Sequence, residues 1–390
     1  MRQRLEHFGE IIRTRPRYLN LTAAILLVLI FLALNLAILM SGGIRIGGDS
    51  PRYLEGAANV VRGLPLEGGQ ISYLGYIAVI ALCQRIGIGL PGVIAVQLVL
   101  AALAAIALYD LGRRLHGHYA GLISAGLFVA NPDNAGWHAF ILTDSLYISL
   151  VVLSVWGVHT ASERKRYWYI LAALVLVSAA LMRPNGLFLM AVALLYLVYR
   201  SAQPEGLRWL VISILLLASV LGATGASRFY QASRHRPPVS ALSNGGTGVA
   251  AWNLSMPPAA TPVEGGWAEV LRYVAAHPFD SLRLACTRLA IELIHIRPFY
   301  SFRHNLVLLA ALPFLYLLAL LGLWLKRDSS LARFIVSVII VHLFLVALTF
   351  ADWDGRYLLY ILPLILLFSS CAIVALIELY LSARTKGTKR

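Results

Sequence analysis

Apolar runs of about twenty residues recur along the whole of this chain, and no other feature constrains its fold as strongly. A helix rises about 1.5 Å per residue, so about 20 apolar residues cross the ~30 Å hydrocarbon core of a bilayer. Within that core a lone segment can satisfy its own backbone polar groups only as a helix. Such runs fall at 19–40, 91–111, 119–136, 145–161, 168–183, 186–200, 208–226, 306–325, 332–350 and 357–381. Only 13% of the 390 residues are charged, against about 25% in a soluble domain. The expected fold is therefore an all-α polytopic membrane protein. The net charge of +15 is assigned to loops that face anionic lipid, and no nucleic-acid partner is expected.

Charge placement sets the expected topology. Short basic connections occur at the N-terminus (Arg2, Arg4, Arg13, Arg15, Arg17), at 112–118, at 163–166, between Arg200 and Arg208, at 325–329 and at 384–390. All of them fall on the cytoplasmic side if 71–90, an eleventh apolar stretch interrupted by Arg85, is re-entrant or interfacial and does not span. That arrangement gives about ten transmembrane helices with both termini inside. The first helix then reads as a retained signal anchor. The segments are a cytoplasmic basic N-terminus (1–18), an N-terminal transmembrane module (19–226) with an outer loop at 41–90, a long outer loop with interfacial helices (227–305), C-terminal transmembrane helices (306–381) and a cytoplasmic tail (382–390). The expected location is the cytoplasmic (inner) membrane of a prokaryote, with the functional side facing the periplasm or exterior.

All four lysines fall inside in this topology, so every outer Lys/Arg-type cation is an arginine. Arginine presents a planar fork that grips phosphate bidentately. Most acidic residues also fall outside, and the centres of the spans are nearly free of charge. A proton- or ion-coupled transporter places ionisable groups near the midplane, so a transporter or flippase is the weaker alternative. Cys83 and Cys371 lie in apolar segments and Cys286 stands alone, so neither a zinc site nor a disulfide framework is indicated.

Three outer constellations carry polar chemistry. In "GGDSPRYLEGA", Gly47 and Gly48 permit a close turn, Ser50-Pro51 opens a helix, and Asp49 lies in the bend before it. Asp49 and Ser50 both suit helix capping, and a catalytic carboxylate is the other reading of Asp49. In "NPDNAGWHAFILTDSL", Asp144 opens a span and suits an N-cap, with His138 nearby. In "LMRPNGLF", Arg183 occupies an outer turn against the positive-inside tendency, which calls for an anionic partner. Farther along lie Arg297 in "IRPFY" and Asp352, Asp354, Arg356 and Tyr357 in "DWDGRYLLYILP".

Taken in order, these pieces resemble the GT-C-type integral-membrane glycosyltransferases, which include the protein O-mannosyltransferases and the lipid A aminoarabinose transferase. The resemblance rests on Asp49-x-x-x-Tyr53 with Ala57 and Gly63, on the Gly112 to Gly117 loop, on Asp144, on Arg183-Pro184-x-Gly186, and on Asp354-x-Arg356-Tyr357 with Pro363. It implies a polyprenyl-phosphate sugar donor, with Asp49 the main catalytic carboxylate and Asp144 a second acidic residue at the site. Many relatives carry Asp-Glu or Asp-x-Asp where this chain has Asp49-Ser50.

The chemistry needs few groups. A sugar on a lipid phosphate already has a good leaving group, so no acid is needed to protonate it. One general base for the acceptor hydroxyl and cations for the departing phosphate suffice, and such a kit inverts the anomeric centre. Asp49 is the expected base. Arg356, Arg297, Arg183 and Tyr357 are expected at the donor phosphate, and Tyr53, Glu55 and His138 along the acceptor cavity. The acceptor is expected to be a lipid or glycan. No cofactor is required, and a divalent cation is compatible with the kit.

Overall fold

The computed structural model describes residues 16–164, 167–200, 242–258 and 267–387. Among them every regular element is helical. Six helices are long and apolar enough to cross a membrane: α1 (Pro16–Gly42), α4 (Gly89–His116), α7 (Asp144–Glu163), α12 (Phe302–Lys326), α13 (Ser330–Leu348) and α14 (Arg356–Gly387). The others are α2 (Ser50–Arg62), α3 (Leu74–Arg85), α5 (His118–Val129), α6 (Pro132–Trp137), α8 (Tyr167–Met182), α9 (Asn185–Arg200), α10 (Trp267–Ala276) and α11 (Pro278–Ile294).

The expected count of ten spans is therefore met only in part. Three apolar helices, α5, α8 and α9, have 12, 16 and 16 residues. At about 1.5 Å per residue they reach roughly 18–24 Å, short of a full hydrocarbon core. Proline sets two of these limits. After α5 the Asn131 side chain caps the N–H groups of Asp133 and Asn134, and Pro132 starts α6 in a new direction. Between α8 and α9 the chain turns at Arg183-Pro184. The expected span at 208–226 lies outside the described residues. Within 71–90 a 3₁₀ turn (Gly68–Tyr73) leads into α3, the start of α4 follows, and α3, with 12 residues, is too short to cross alone.

Burial ranks the helices. In the most apolar window of α7, 89% of residues are buried inside the protein, and in that of α14, 78%; for α1 the figure is 6%. So α7 and α14 form the centre, and α1 stands at the edge with Leu29, Leu32 and Leu36 turned outward. Apolar surface of this kind is stable where lipid covers it. Close backbone approach joins the bundle at Gly322 of α12, where a Cβ would come within 1.9 Å of the Phe368 carbonyl oxygen of α14.

Ionisable side chains collect at two ends. Asp144, Arg183 and Arg356 meet at one end. Arg114, Glu163, His116 and Glu378 meet at the other. The 20 residues of α7 separate the two ends by about 30 Å, one hydrocarbon thickness.

Candidate active site at the Asp144 end

Loop pairing builds this end. The segment after α1 is stitched to the one before α7 by a bridge in which Arg45 N–H donates to the Ala139 carbonyl (2.8 Å) and Ile141 N–H donates to that of Arg45 (3.0 Å). The buried Ser50 hydroxyl lies 2.7 Å from the Gly47 carbonyl and 2.9 Å from that of Ile141, which pins the start of α2 across 91 positions of sequence. Gln97 of α4 donates to the carbonyls of His138 (2.8 Å) and Phe140 (3.1 Å) and accepts from the Tyr76 hydroxyl (2.9 Å).

Asp49 precedes α2 in the N-cap position, but its side chain makes no capping bond. Its carboxylate is one-third exposed and lies 3.3 Å from Arg52 Nη2, one turn on. The capping reading of this residue is therefore set aside. Ser50 ties the helix start instead, and Asp49 keeps accepting capacity for another group.

Asp144 is 1% exposed and is the first residue of α7. It does not cap that helix either. Its Oδ1 accepts from Arg183 Nη1 at 2.7 Å and from the Tyr360 hydroxyl, and its Oδ2 faces Arg356 Nη1 at 3.4 Å. Two separate stretches of chain, the Arg183 turn and the start of α14, thus converge on one carboxylate. Arg183 also donates to Thr143 Oγ1 (3.0 Å) and stands over the rings of Tyr360 and Tyr357, 5.2 and 5.7 Å from their centroids. Its Nε and Nη2 make no hydrogen bond among the described residues. Arg356 holds Asp352 bidentately, at 3.0 and 2.8 Å. It also lies 5.7 Å from the centroid of Trp137.

The turn that aims Arg356 is heavily braced. Asp352 accepts the N–H groups of Asp354 and Arg356. Gly355 has φ +74°, and a Cβ there would lie 2.4 Å from the His295 ring. Glu292 of α11, fully buried, accepts from Asp352 N–H (3.0 Å) and Leu358 N–H (2.5 Å). Burial pushes its carboxyl up to about 7. Asp354 is also raised, to about 6, chiefly by burial; its carboxylate and carbonyl accept from the Tyr300 hydroxyl. Tyr300 stacks on His304 (4.4 Å between centroids), and His304 lies 3.1 Å from Asp133.

The remaining expected site residues divide. Tyr53 is buried in an aromatic cluster with Tyr73 and Tyr76, and burial holds its phenol well above the ordinary value. Glu55 is exposed and lies 3.5 Å from Gln70 Nε2. His138 is 3% exposed, its Nδ1 lies 2.7 Å from Asn35 Oδ1 of α1, and burial pushes its imidazole down to about 4. Arg297 is 1% exposed, and its guanidinium donates to the carbonyls of Trp353, Ile291, Ile296 and Asp352. That geometry makes it a brace for the 352–354 turn. Tyr357 lies beneath Arg183, and its carbonyl faces His342 Nε2 at 2.9 Å.

Sequence reasoning did not single out Tyr360, Thr143 or Glu292, and it left Asp352 unassigned. One signal was available: Asp352, Arg356 and Tyr360 are spaced by four, which places them along one side of a helix entrance. Among the described residues no three His, Cys, Asp or Glu side chains group closely enough to hold a metal ion. Both Asp144 oxygens face donors, so this carboxylate is set among cations and does not present a ligand edge.

Comparison with known proteins agrees with this architecture. Residues 74–227 match the family model described as dolichyl-phosphate-mannose-protein mannosyltransferase. No curated protein sequence matches the chain. Among solved structures, the archaeal oligosaccharyltransferase AglB of Archaeoglobus fulgidus, in complex with an inhibitory peptide and a dolichol-phosphate, superposes with a TM-score of 0.55 at 15% identity, covering 97% of this chain and 52% of that one. The Archaeoglobus fulgidus oligosaccharyltransferase tethered with an acceptor peptide containing the NVT sequon gives 0.54 at 13% identity, covering 93% and 50%. The chain thus spans about half the length of the structures it matches. At these identities the likeness is one of fold.

Proposed function

We propose that this chain, a membrane protein of the GT-C fold, is a glycosyltransferase that moves a sugar from a polyprenyl-phosphate donor to a lipid or glycan acceptor at the outer face of the membrane. The observation that carries this reading is the convergence of Arg183 and Arg356 on Asp144, at the same end of the bundle as a half-open Asp49. The loop bridge and the Ser50 bond to Ile141 hold those elements together. The family match and the fold support the donor class.

The roles follow from the atoms left free. The acceptor hydroxyl attacks the anomeric carbon, its proton passes to Asp49, and the bond from that carbon to the phosphate oxygen breaks. The electron pair goes to the leaving phosphate, opposite the attack, and the configuration inverts. Arg183 offers Nε and Nη2 to the growing negative charge, and such fixed cations act strongly where water is excluded. Arg356 flanks it. Asp144 and Asp352 hold the two forks in position, so Asp144 acts as a positioning residue in this reading. Tyr53, buried behind Asp49, supports α2, and Glu55 lines the approach. The prenyl chain would follow the narrow crevice between α7, α9 and α13 that Tyr147, Val192, Val338 and Tyr360 border.

The test is turnover of polyprenyl-phosphate sugars by the purified chain in lipid, wild type beside Asp49→Asn. Release of polyprenyl phosphate by the wild type, with binding kept and release lost in the variant, is the expected result. Full release by Asp49→Asn would remove Asp49 as the base. No binding across a panel of sugars would remove the donor class.

A further inference from the structure

The opposite end of the bundle carries a second built site. Where α4, α7 and α8 meet, about 30 Å along α7 from Asp144, a cavity of about 460 Å³ opens between Arg113, Arg164, Trp156, Trp168, Thr160 and Asp110. Its acidic groups already have partners. Arg114 bridges Asp110 (2.7 Å) and Glu163 (2.7 Å), and Trp156 Nε1 donates to Asp110 Oδ2 at 2.9 Å. Arg113 shares Asp110 at 2.6 Å and is half exposed. Arg164 is exposed and lies 5.6 Å from the Trp168 ring centroid, with no carboxylate partner among the described residues. Arg113, Arg114 and Arg164 outnumber Asp110 and Glu163, so the cavity keeps an excess of positive charge.

Two donors on residues that line this cavity have no hydrogen-bond partner among the described residues. Thr160 is 1% exposed, and its hydroxyl has no hydrogen-bond partner; Trp168 Nε1 is buried and likewise unpaired among the described residues. Orphaned buried donors in a polar cavity call for an acceptor. We propose that this cavity binds the phosphate of an anionic membrane lipid. The Arg164 and Arg113 guanidinium groups would pair with its oxygens, and the Thr160 hydroxyl and Trp168 indole would complete the cradle. Exposed Ile106 on its lining presents apolar surface to the acyl chains, which favours a lipid over a free anion. In the topology read from charge this is the cytoplasmic end, where anionic lipid and arginine attract. The site stands apart from the sugar donor and does not depend on it.

The experiment is native mass spectrometry of the full chain extracted from phosphatidylcholine bilayers doped with phosphatidylglycerol. The wild type should retain phosphatidylglycerol selectively, and Arg164→Gln with Thr160→Val should retain about tenfold less, equivalent to about 1.4 kcal/mol. Trp168→Phe, which keeps the ring and removes the donor, should fall between them, and it serves if the double variant does not fold. Equal retention by wild type and Trp168→Phe, or by wild type and a folded double variant, would overturn the proposal. So would displacement of the lipid by millimolar inorganic phosphate, which would make the ligand a free anion.

Discussion

Arg183 donates to Asp144 at 2.7 Å, and this single bond ties the turn between α8 and α9 to the first residue of α7 at the centre of the bundle. Arg356, 212 positions away from Asp144, reaches the other oxygen of the same carboxylate. The aspartate therefore holds two cations that would otherwise repel each other in a buried space.

Removing that carboxylate should unfold this end. Asp144→Ala leaves two buried guanidinium groups without their shared anion, a change that costs about 3–5 kcal/mol when a buried pair is broken. Asp144→Asn keeps an acceptor and should cost less. Thermal unfolding of both variants in the same lipid checks the order. An alanine variant as stable as the wild type would rule out the clamp.

Asp49→Asn should behave in the opposite way. Among the described residues the carboxylate pairs only with Arg52 at the surface, and such pairs contribute about 0–1 kcal/mol. The unfolding midpoint should stay near that of the wild type while turnover falls by about 10²–10⁴, the usual range for a general base. Arg183→Gln should lower turnover by about 10²–10³. Arg183→Lys should not restore it, because the ammonium cannot reproduce the fork.

Arg297 provides the contrast among the arginines. Arg297→Gln should lower stability by about 3 kcal/mol or more, since four carbonyls lose their donor. Donor affinity in the fraction that folds should change little. A variant with normal stability and weakened donor binding would return Arg297 to the phosphate.

Glu292 predicts a pH dependence. Its carboxyl is raised from 4.5 to about 7 by burial, so between those values the folded protein holds a proton that the unfolded chain has lost. The stability this contributes is present below about pH 4.5 and is lost as pH rises through about 7, on the order of 3 kcal/mol in all. Asp354, raised to about 6, adds a slope of the same sign. Glu292→Gln should flatten the unfolding midpoint across this window and leave the smaller Asp354 slope. An unchanged profile would mean that Glu292 titrates normally.

Gly355→Ala should disturb the site without removing a charged group, although the new Cβ would lie 3.1 Å from Arg297 Nη2. A residue at φ +74° is strained, and the new methyl would press on His295. The turn that aims Arg356 should shift, with turnover falling more than helix content, as measured by transfer assay beside circular dichroism.

The class of fold was legible in the sequence because it rests on a local signal. An apolar run reports a helix in lipid whatever surrounds it. Asp49, Asp144, Arg183 and Arg356 all stood out as polar groups at the ends of apolar segments. Helix lengths were less legible where Asn131-Pro132 cuts the apolar run at 119–136, which ends as a helix at Val129.

What the sequence could not assign was which charges meet. His138 and Asp144 lie six residues apart in one loop, yet one packs against Asn35 and the other gathers two arginines. Arg297 and Arg183 are the same residue type in similar turns, yet one faces four carbonyls and the other has two nitrogens without a partner among the described residues. Those outcomes depend on helices packed from distant parts of the chain, because a buried charge takes the partners that packing brings to it. The sequence by itself determined a helical membrane protein with its polar chemistry at the ends of its spans. Only the tertiary structure decided which of those polar groups brace the fold and which remain free to act.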